Sequence, residues 1–276
     1  MSGKLLVLAP PGDTGAVAVA RQLTARVGPD HVLALTPADL VRARWSHRVT
    51  ARGATSTRIT LPTGTVLHDE DIGAVLNRLT QIPPAAGAPS AAVKDLVYAR
   101  SERQALAASW LLSLAPRVAG LISAYGTVHG PVSPTTALIH AERCGLPVAR
   151  RGGATRSGLI GRPAPGERHV PRLAWPGGRG SPVPVDVLPE QQTADCERLL
   201  RAGDHIIGGH TGYTAHCRRL AGELGTPLFE LRLAPGPGGP VVTDVNLCPP
   251  LDDDRHVAAT AALLVALAEQ PTRRQA

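Results

Sequence analysis

The stretch "PLFELRLAPGPGGPVVTDVNLCPP", residues 227–250, decides how the rest of the chain is read. Two runs rich in Leu, Phe and Val flank "APGPGG", a turn built from the residues that most strongly punctuate local structure. The pattern predicts a hairpin whose first strand carries Glu230 and whose second ends in Asp244 and Asn246. Side chains two apart on a strand share a face, so Asp244 and Asn246 point the same way. A hairpin of this length brings the acid of the first strand toward them, and Pro249 and Pro250 then stop the strand. Two carboxylates and an amide oxygen suit a hard cation such as Mg²⁺ that bridges to phosphates. The alternative is a polar cap on a strand entering a loop. Arg232 competes with Glu230 for the first-strand position, which would weaken the metal reading.

Upstream, "GYTAHCRRLAGELG" predicts a helix leading into this hairpin, and "ERLLRAGDHIIGG" a second hairpin turning at Gly203-Asp204. At the other end of the chain, "KLLVLAP" is a continuous apolar run of the kind buried in a parallel sheet. "PGDTGAVAVARQLTARVG" follows with helical spacing until Gly28, and "HVLAL" restarts a strand, giving a βαβ opening. "PPGDTG" is neither a dinucleotide fingerprint nor a P-loop, so Asp13 or Thr14 is read as the N-cap of the helix rather than as a phosphate cradle. Alternating residues from Arg48 predict hairpin strands turning at "ARGA" and "LPTGT", then the strand "GAVLNRL". "DLVYARSERQALAASWLLSL" is helical, with Tyr98, Ala105, Leu111 and Leu112 available for a buried face and Glu102 and Arg103 on the solvated side. "RVAGLIS" reads as a strand, and "SPTTALIHAERCGLPV" as a helix capped by Ser133 and closed by Gly145. Residues 150–182, dominated by Gly, Pro and Arg, show no clear period and mark a domain boundary or a long functional loop. The fold class is therefore α/β with an α+β C-terminal part.

Composition narrows the function. A chain of 276 residues with 43 % hydrophobic content buries a real core, and with only 3 % aromatics that core is built from Val, Leu, Ile and Ala. "VAATAALLVALAEQ", from Val257, is too short for a bilayer span and reads as a terminal core helix, so no membrane partner is expected. The N-terminus lacks the h-region and cleavage site of a signal peptide, which points to the cytoplasm. Cys144, Cys196, Cys217 and Cys248 are scattered, without metal or redox spacing, and are read as reduced thiols. The net charge of +7 is carried almost wholly by arginine, because Lys4 and Lys94 are the only lysines. No nucleic-acid motif or aromatic interleaving accompanies that charge, so no nucleic-acid partner is expected. His210 is read as a loop or N-cap neighbour rather than an acid or base. His216 and Cys217, adjacent on a helix, diverge by about 100° and form no nucleophile pair. "LDDDRH", residues 251–256, is explained as acid in the first turn of the last helix, although it could assist a metal.

The terminal pattern resembles the ATP-grasp family of carboxylate-activating ligases, whose last strands carry an acid, then acid-x-Asn-x-x-Pro. Here that is Glu230, Asp244, Asn246 and Pro249, with Asp and Glu exchanged relative to the commoner order. Patches upstream, "LLVLAPPGDTGAVAVARQL", "GAVLNRL", "YARSERQALAASWLLSL" and "ALIHAERCGLPV", look like the N-terminal portion of the branch that modifies ribosomally made peptides. The resemblance implies an α/β pre-domain over residues 1–149 and a shortened ATP-grasp domain over residues 150–276. It implies ATP and Mg²⁺ as cofactors, with the metal on Glu230, Asp244 and Asn246. "VDVLPE" would be the hinge strand, placing Asp186 near the adenine or ribose. The family's two phosphate-binding lysines have no counterpart after Lys94. "ARRGGATRSG" either supplies a Gly-rich phosphate cover, with Arg150, Arg151 or Arg156 in the lysines' place, or is a basic surface loop. The implied activity is ATP-dependent ligation of a carboxylate to an amine, through an acyl phosphate, on a peptide or small metabolite. A degenerate fold kept as a non-catalytic subunit that binds a peptide or partner protein is the competing reading, and a homo-oligomer is compatible with either.

Overall fold

The computed structural model describes residues 3–79, 82, 93–120, 122, 134–149, 152–154, 167–171, 185–189, 196–208, 211–236 and 238–270. The chain opens with β1 (Lys4–Leu8), α1 (Thr14–Val27), β2 (Val32–Leu35) and α2 (Pro37–Arg42). Next come β3 (Arg44–Val49), β4 (Thr55–Thr60), β5 (Val66–His68), β6 (Ile72–Asn77), α3 (Val93–Ser113), β7 (Val118–Ala119) and α4 (Pro134–Arg143). The later strands are β8 (Gly152–Ala154), β9 (Glu167–Pro171), β10 (Val185–Pro189), β11 (Glu197–Ala202) and β12 (His205–Ile207). The last elements are α5 (Thr214–Leu224), β13 (Leu228–Ala234), β14 (Val241–Asn246) and α6 (Asp254–Glu269).

The chain forms two compact units, one of Met1–Pro131, Thr226–Leu228 and Leu247–Ala276, the other of Val132–Gly225 and Phe229–Asn246. In the first, a parallel sheet runs β2-β1-β6-β7. Leu5, Leu6, Val7 and Leu8 of β1 are all buried, as the unbroken apolar run requires of a strand covered on both faces. Asp13 starts α1 by accepting the amide of Ala16 at 2.9 Å, and Gly28 ends it at φ +91°. The same carboxylate receives the buried Arg78 Nε at 2.6 Å, while Arg78 Nη1 donates to the carbonyl of Pro249 at 2.8 Å. One guanidinium thus ties the start of α1 to the end of β6 and to the C-terminal segment. Helix α6 covers this sheet with Val257, Leu263, Leu264 and Leu267.

A second, antiparallel sheet, β3-β4-β5, completes the first unit and carries α3 on one face. Trp45 meets Trp110 edge-on at 5.3 Å, and His47 Nε2 lies 2.8 Å from Ser109 Oγ. The face that α3 buries differs from the one its periodicity predicts. Its buried line is Ala107, Ala108, Trp110, Leu111 and Leu114, whereas Tyr98 is 68 % and Leu112 51 % exposed and Ala105 is exposed. Residues 98, 105 and 112 fall seven apart, one stripe of the helix, and that stripe lies beside the one that meets the sheet. Arg103, assigned to solvent, is half-buried and donates to the carbonyl of Val41.

The second unit contains two sheets, β8-β10-β9 and β12-β11-β13-β14. Strands β8 and β9 fall in the stretch whose sequence shows no period, because three to five residues are too few to display one. Gly203 at φ +63° makes the predicted turn, and Gly145 and Gly225 follow the ends of α4 and α5 at φ +87° and +65°. Arg219 and His216 of α5 converge on the carbonyl of Cys144, at 2.7 and 3.0 Å, satisfying the C-terminus of α4. Ser133 and His210 lie outside the described residues.

Candidate functional site

Strands β13 and β14 pair antiparallel with Glu230 directly opposite Asn246 and Arg232 directly opposite Asp244. Opposed residues share a face, so these four side chains form one polar patch, while Phe229, Leu231, Leu233, Val242 and Val245 are buried. A register shift between Arg232 and Leu233 leaves Thr243 as the extra residue of β14. Its hydroxyl donates to the carbonyl of Arg232 at 3.1 Å and fixes the irregularity next to the patch. At the far end of the hairpin, Tyr213 donates its hydroxyl to the carbonyl of Pro240 at 2.6 Å, and burial pushes that phenol's pKa up.

The electrostatics centre on Glu230, which is 0 % exposed. Arg198, on β11, reaches its Oε2 with both Nε and Nη2 at 2.7 Å, and Arg232 Nε lies 3.9 Å from Oε1. A carboxylate this deep stays ionised only with such a partner. The Asp244 side chain is half-exposed, and its carboxylate has no hydrogen-bond partner among the described residues. Arg232, whose side chain is 42 % exposed, holds its charge at the surface beside it. Sequence reasoning missed Arg198, since nothing local to "ERLL" shows that β11 lies next to β13.

The donor set fits a hard cation, because every candidate ligand is an oxygen. Asp244 and Asn246 stand together at the end of β14, and Glu230 joins them only by sharing its carboxylate with Arg198. Among the described residues no group of three His, Cys, Asp or Glu converges on one point, so the amide of Asn246 is needed to complete a third ligand. Asp186 sits on β10, the central strand of its sheet, opposite Gly153 on one side and Val170 on the other. Arg150, Arg151 and Arg156 lie outside the described residues. Asp13, the other position weighed for phosphate, is committed to capping α1 and to Arg78.

The cysteines are free, and Cys144 and Cys217 are buried. Burial raises the pKa of Cys144 and Cys248 and pushes Cys217 up to about 11. Arg201 is desolvated against Cys217 and its pKa is lowered by burial; it donates to the carbonyls of Gly203 and Cys217. This is a structural anchor for the β11–β12 turn on α5, not a nucleophile site.

The architecture is that of the ATP-grasp ligases. The structure of ATP-grasp ligase PsnB complexed with minimal precursor, Mg and ADP superposes with a TM-score of 0.66 over 96 % of this chain and 98 % of that one, at 17 % identity. Macrocyclase MdnC from Microcystis aeruginosa MRC, bound with precursor peptide MdnA, gives a TM-score of 0.66 over 95 % and 99 %, at 12 % identity. A RiPP-associated ATP-grasp ligase from Chryseobacterium gregarium, in complex with ADP and a leader and core peptide, gives 0.60 over 98 % of both chains, at 12 % identity. No family model and no curated protein matches the sequence. No helix among the described residues is long and apolar enough to cross a membrane.

Proposed function

We propose that this chain is an ATP-dependent carboxylate–amine ligase of the ATP-grasp kind, acting on a peptide or a small amino-bearing metabolite in the cytoplasm. The observation that carries the reading is the register of the terminal hairpin, which puts Glu230, Asn246, Arg232 and Asp244 on one face. The fold supports it, as do neighbours whose structures hold nucleotide, Mg or precursor peptides. ATP and Mg²⁺, when bound, would supply the phosphoryl group that activates the carboxylate as an acyl phosphate.

Asp244 and Asn246 would hold the metal, and Arg198 would keep the Glu230 carboxylate charged and aimed at the same face. Arg232 would meet a phosphate from beside Asp244, with Arg150, Arg151 and Arg156 steadying the transferring group and Asp186 touching the nucleoside. Fixed cations around a transferring phosphoryl group stabilise charge as it develops and supply most of the rate. Residues 1–149 and 150–276 would serve as its pre-domain and shortened ATP-grasp domain, with Leu247–Ala276 of the latter returning to complete the core of the former. Titration calorimetry with Mg-ATP tests this: Asp244→Ala combined with Asn246→Ala should weaken binding at least about tenfold, roughly 1.4 kcal/mol. Unchanged nucleotide binding in the double variant rejects the assignment.

The second reading, an accessory protein that binds a peptide without using ATP, is favoured by two observations. No lysine follows Lys94, and the buried acid of the patch is already neutralised by Arg198. Absence of heat at millimolar nucleotide, with a precursor-type peptide still bound, would select it.

A further inference from the structure

The β3-β4-β5 sheet turns one face to α3 and the other to solvent. The register sets Arg44, Ser46 and Arg48 of β3 across from Thr60, Arg58 and Ser56 of β4, with His68 of β5 opposite Arg58. Arg44, Arg48, Arg58 and His68 are all exposed, and no acidic side chain shares their strands. None of the three guanidiniums pairs with a carboxylate among the described residues. Arg44 and Arg48 stand about 13 Å apart along β3, with Arg58 on the neighbouring strand between them. Arg58 is a diagonal neighbour of both, within reach of their long side chains, so positive charge is concentrated on this face and an anionic partner would be favoured there.

Two further observations lie along the same strand. Strand β3 is an edge, paired with β4 alone among the described residues. On its inner face, at the Val49 end, is a groove of about 410 Å³ lined by Val49, Gly53, Ala105, Ala108, Ser109 and Leu112. It includes Ala105 and Leu112 of the α3 stripe that the sheet leaves uncovered. A strand added to β3 would send alternate side chains toward the arginines and, between them, toward Val49 and this groove.

We propose that the free edge of β3 docks an extended peptide segment that alternates acidic and apolar residues. Its carboxylates meet Arg44, Arg48 and Arg58, and an apolar side chain enters the groove beside Leu112. Charge selects this occupant over the others. A second copy pairing through β3 would set Arg44 and Arg48 against their own equivalents, the use of edge charge that prevents self-association. The chain's own segments 80–92 and 121–133 contain no Asp or Glu to answer the arginines. Single-stranded nucleic acid needs aromatic platforms, and Trp45, the one aromatic on β3, faces inward with its Nε1–H on the carbonyl of Leu40. The surface lies wholly within the first unit and owes nothing to the nucleotide reading.

The test is fluorescence anisotropy with the full chain and three labelled eight-residue peptides, alternating Glu-Val, Glu-Ser and Lys-Val, joined by hydrogen exchange. The Glu-Val peptide should bind best, and Arg44→Glu with Arg48→Glu, or Leu112→Asp alone, should weaken it by about tenfold or more. Amides of residues 44–49 should exchange more slowly in the complex. Equal binding of Glu-Ser or Lys-Val, an unlabelled oligonucleotide that competes with equal strength, unaltered exchange in β3, or no peptide binding at all each overturns the proposal. Mg-ATP binding is measured on the same variants and should not change, so this surface and the hairpin site fail or stand separately.

Discussion

Glu230 shows how much one buried charge asks of its neighbours. With no exposure and a double contact from Arg198, its ion pair adds little net stability against well-packed apolar residues, because desolvation offsets the attraction. Removing one partner is another matter. Arg198→Ala strands a carboxylate in the core and should cost about 3 kcal/mol in urea unfolding, and Glu230→Gln on that background should recover most of it. Failure of the second change to rescue would mean that Arg198 acts through packing and not through charge. Cys217 makes a pH prediction with the opposite sense to that of a salt-bridged carboxylate. Burial holds the thiol up to about 11, against 9.0 ordinarily, so the unfolded chain loses its proton first as pH rises. The associated stability is complete below pH 9 and drains as pH approaches 11, by about 2 kcal/mol. Cys217→Ala should flatten that alkaline fall in denaturation midpoints.

Elements were legible where local chemistry alone builds them. Asp13 as N-cap, Gly28 and Gly225 as stops, and the Gly203-Asp204 turn follow from spacing and side-chain type, and the hairpin face of Glu230, Asp244 and Asn246 follows from period two. What spacing cannot show is which of two adjacent apolar stripes an element buries. For α3 the periodicity was equally good for the 98-105-112 stripe and for the 107-111-114 line, and only contact with Trp45 and Ile59 chooses the second. The same limit hid Arg198, whose role depends on strand order. Tertiary context also decides the sign of identical substitutions. A Cβ on Gly15 in α1 would sit 2.7 Å from Leu251 Cβ and 2.9 Å from its carbonyl oxygen, whereas one on Gly222 in α5 meets nothing within 4 Å. Gly15→Ala should therefore destabilise by about 1–3 kcal/mol, overriding the helix preference of alanine, while Gly222→Ala should stabilise by about 0.5–1 kcal/mol. Paired chemical denaturation curves check both, and a stabilising Gly15→Ala would show that α1 does not pack on residue 251.

For the molecule as a whole, the chain leaves its first unit, builds the second, and returns through Leu247 to close the first with α6. A sequence boundary near residue 150 makes no allowance for that return, because local patterning identifies a core helix without saying which core it joins. The apolar face of α6 is satisfied by α1, β1, β6 and β7, so residues at the end of the sequence share a core with those at its start. Leu264, fully buried there, is the residue to remove. Leu264→Ala should cost about 2–5 kcal/mol, and it should act on the first unit alone. Hydrogen exchange resolves this, since cooperative units open separately when their cores are separate. The variant should speed exchange in β1, β6 and α1, far away in sequence, and leave β11, β13 and β14 protected. Phe229→Ala, in the other core, should do the reverse. Uniform loss of protection from either substitution would show that the two units unfold as one, and the C-terminal helix would then be part of a single cooperative core.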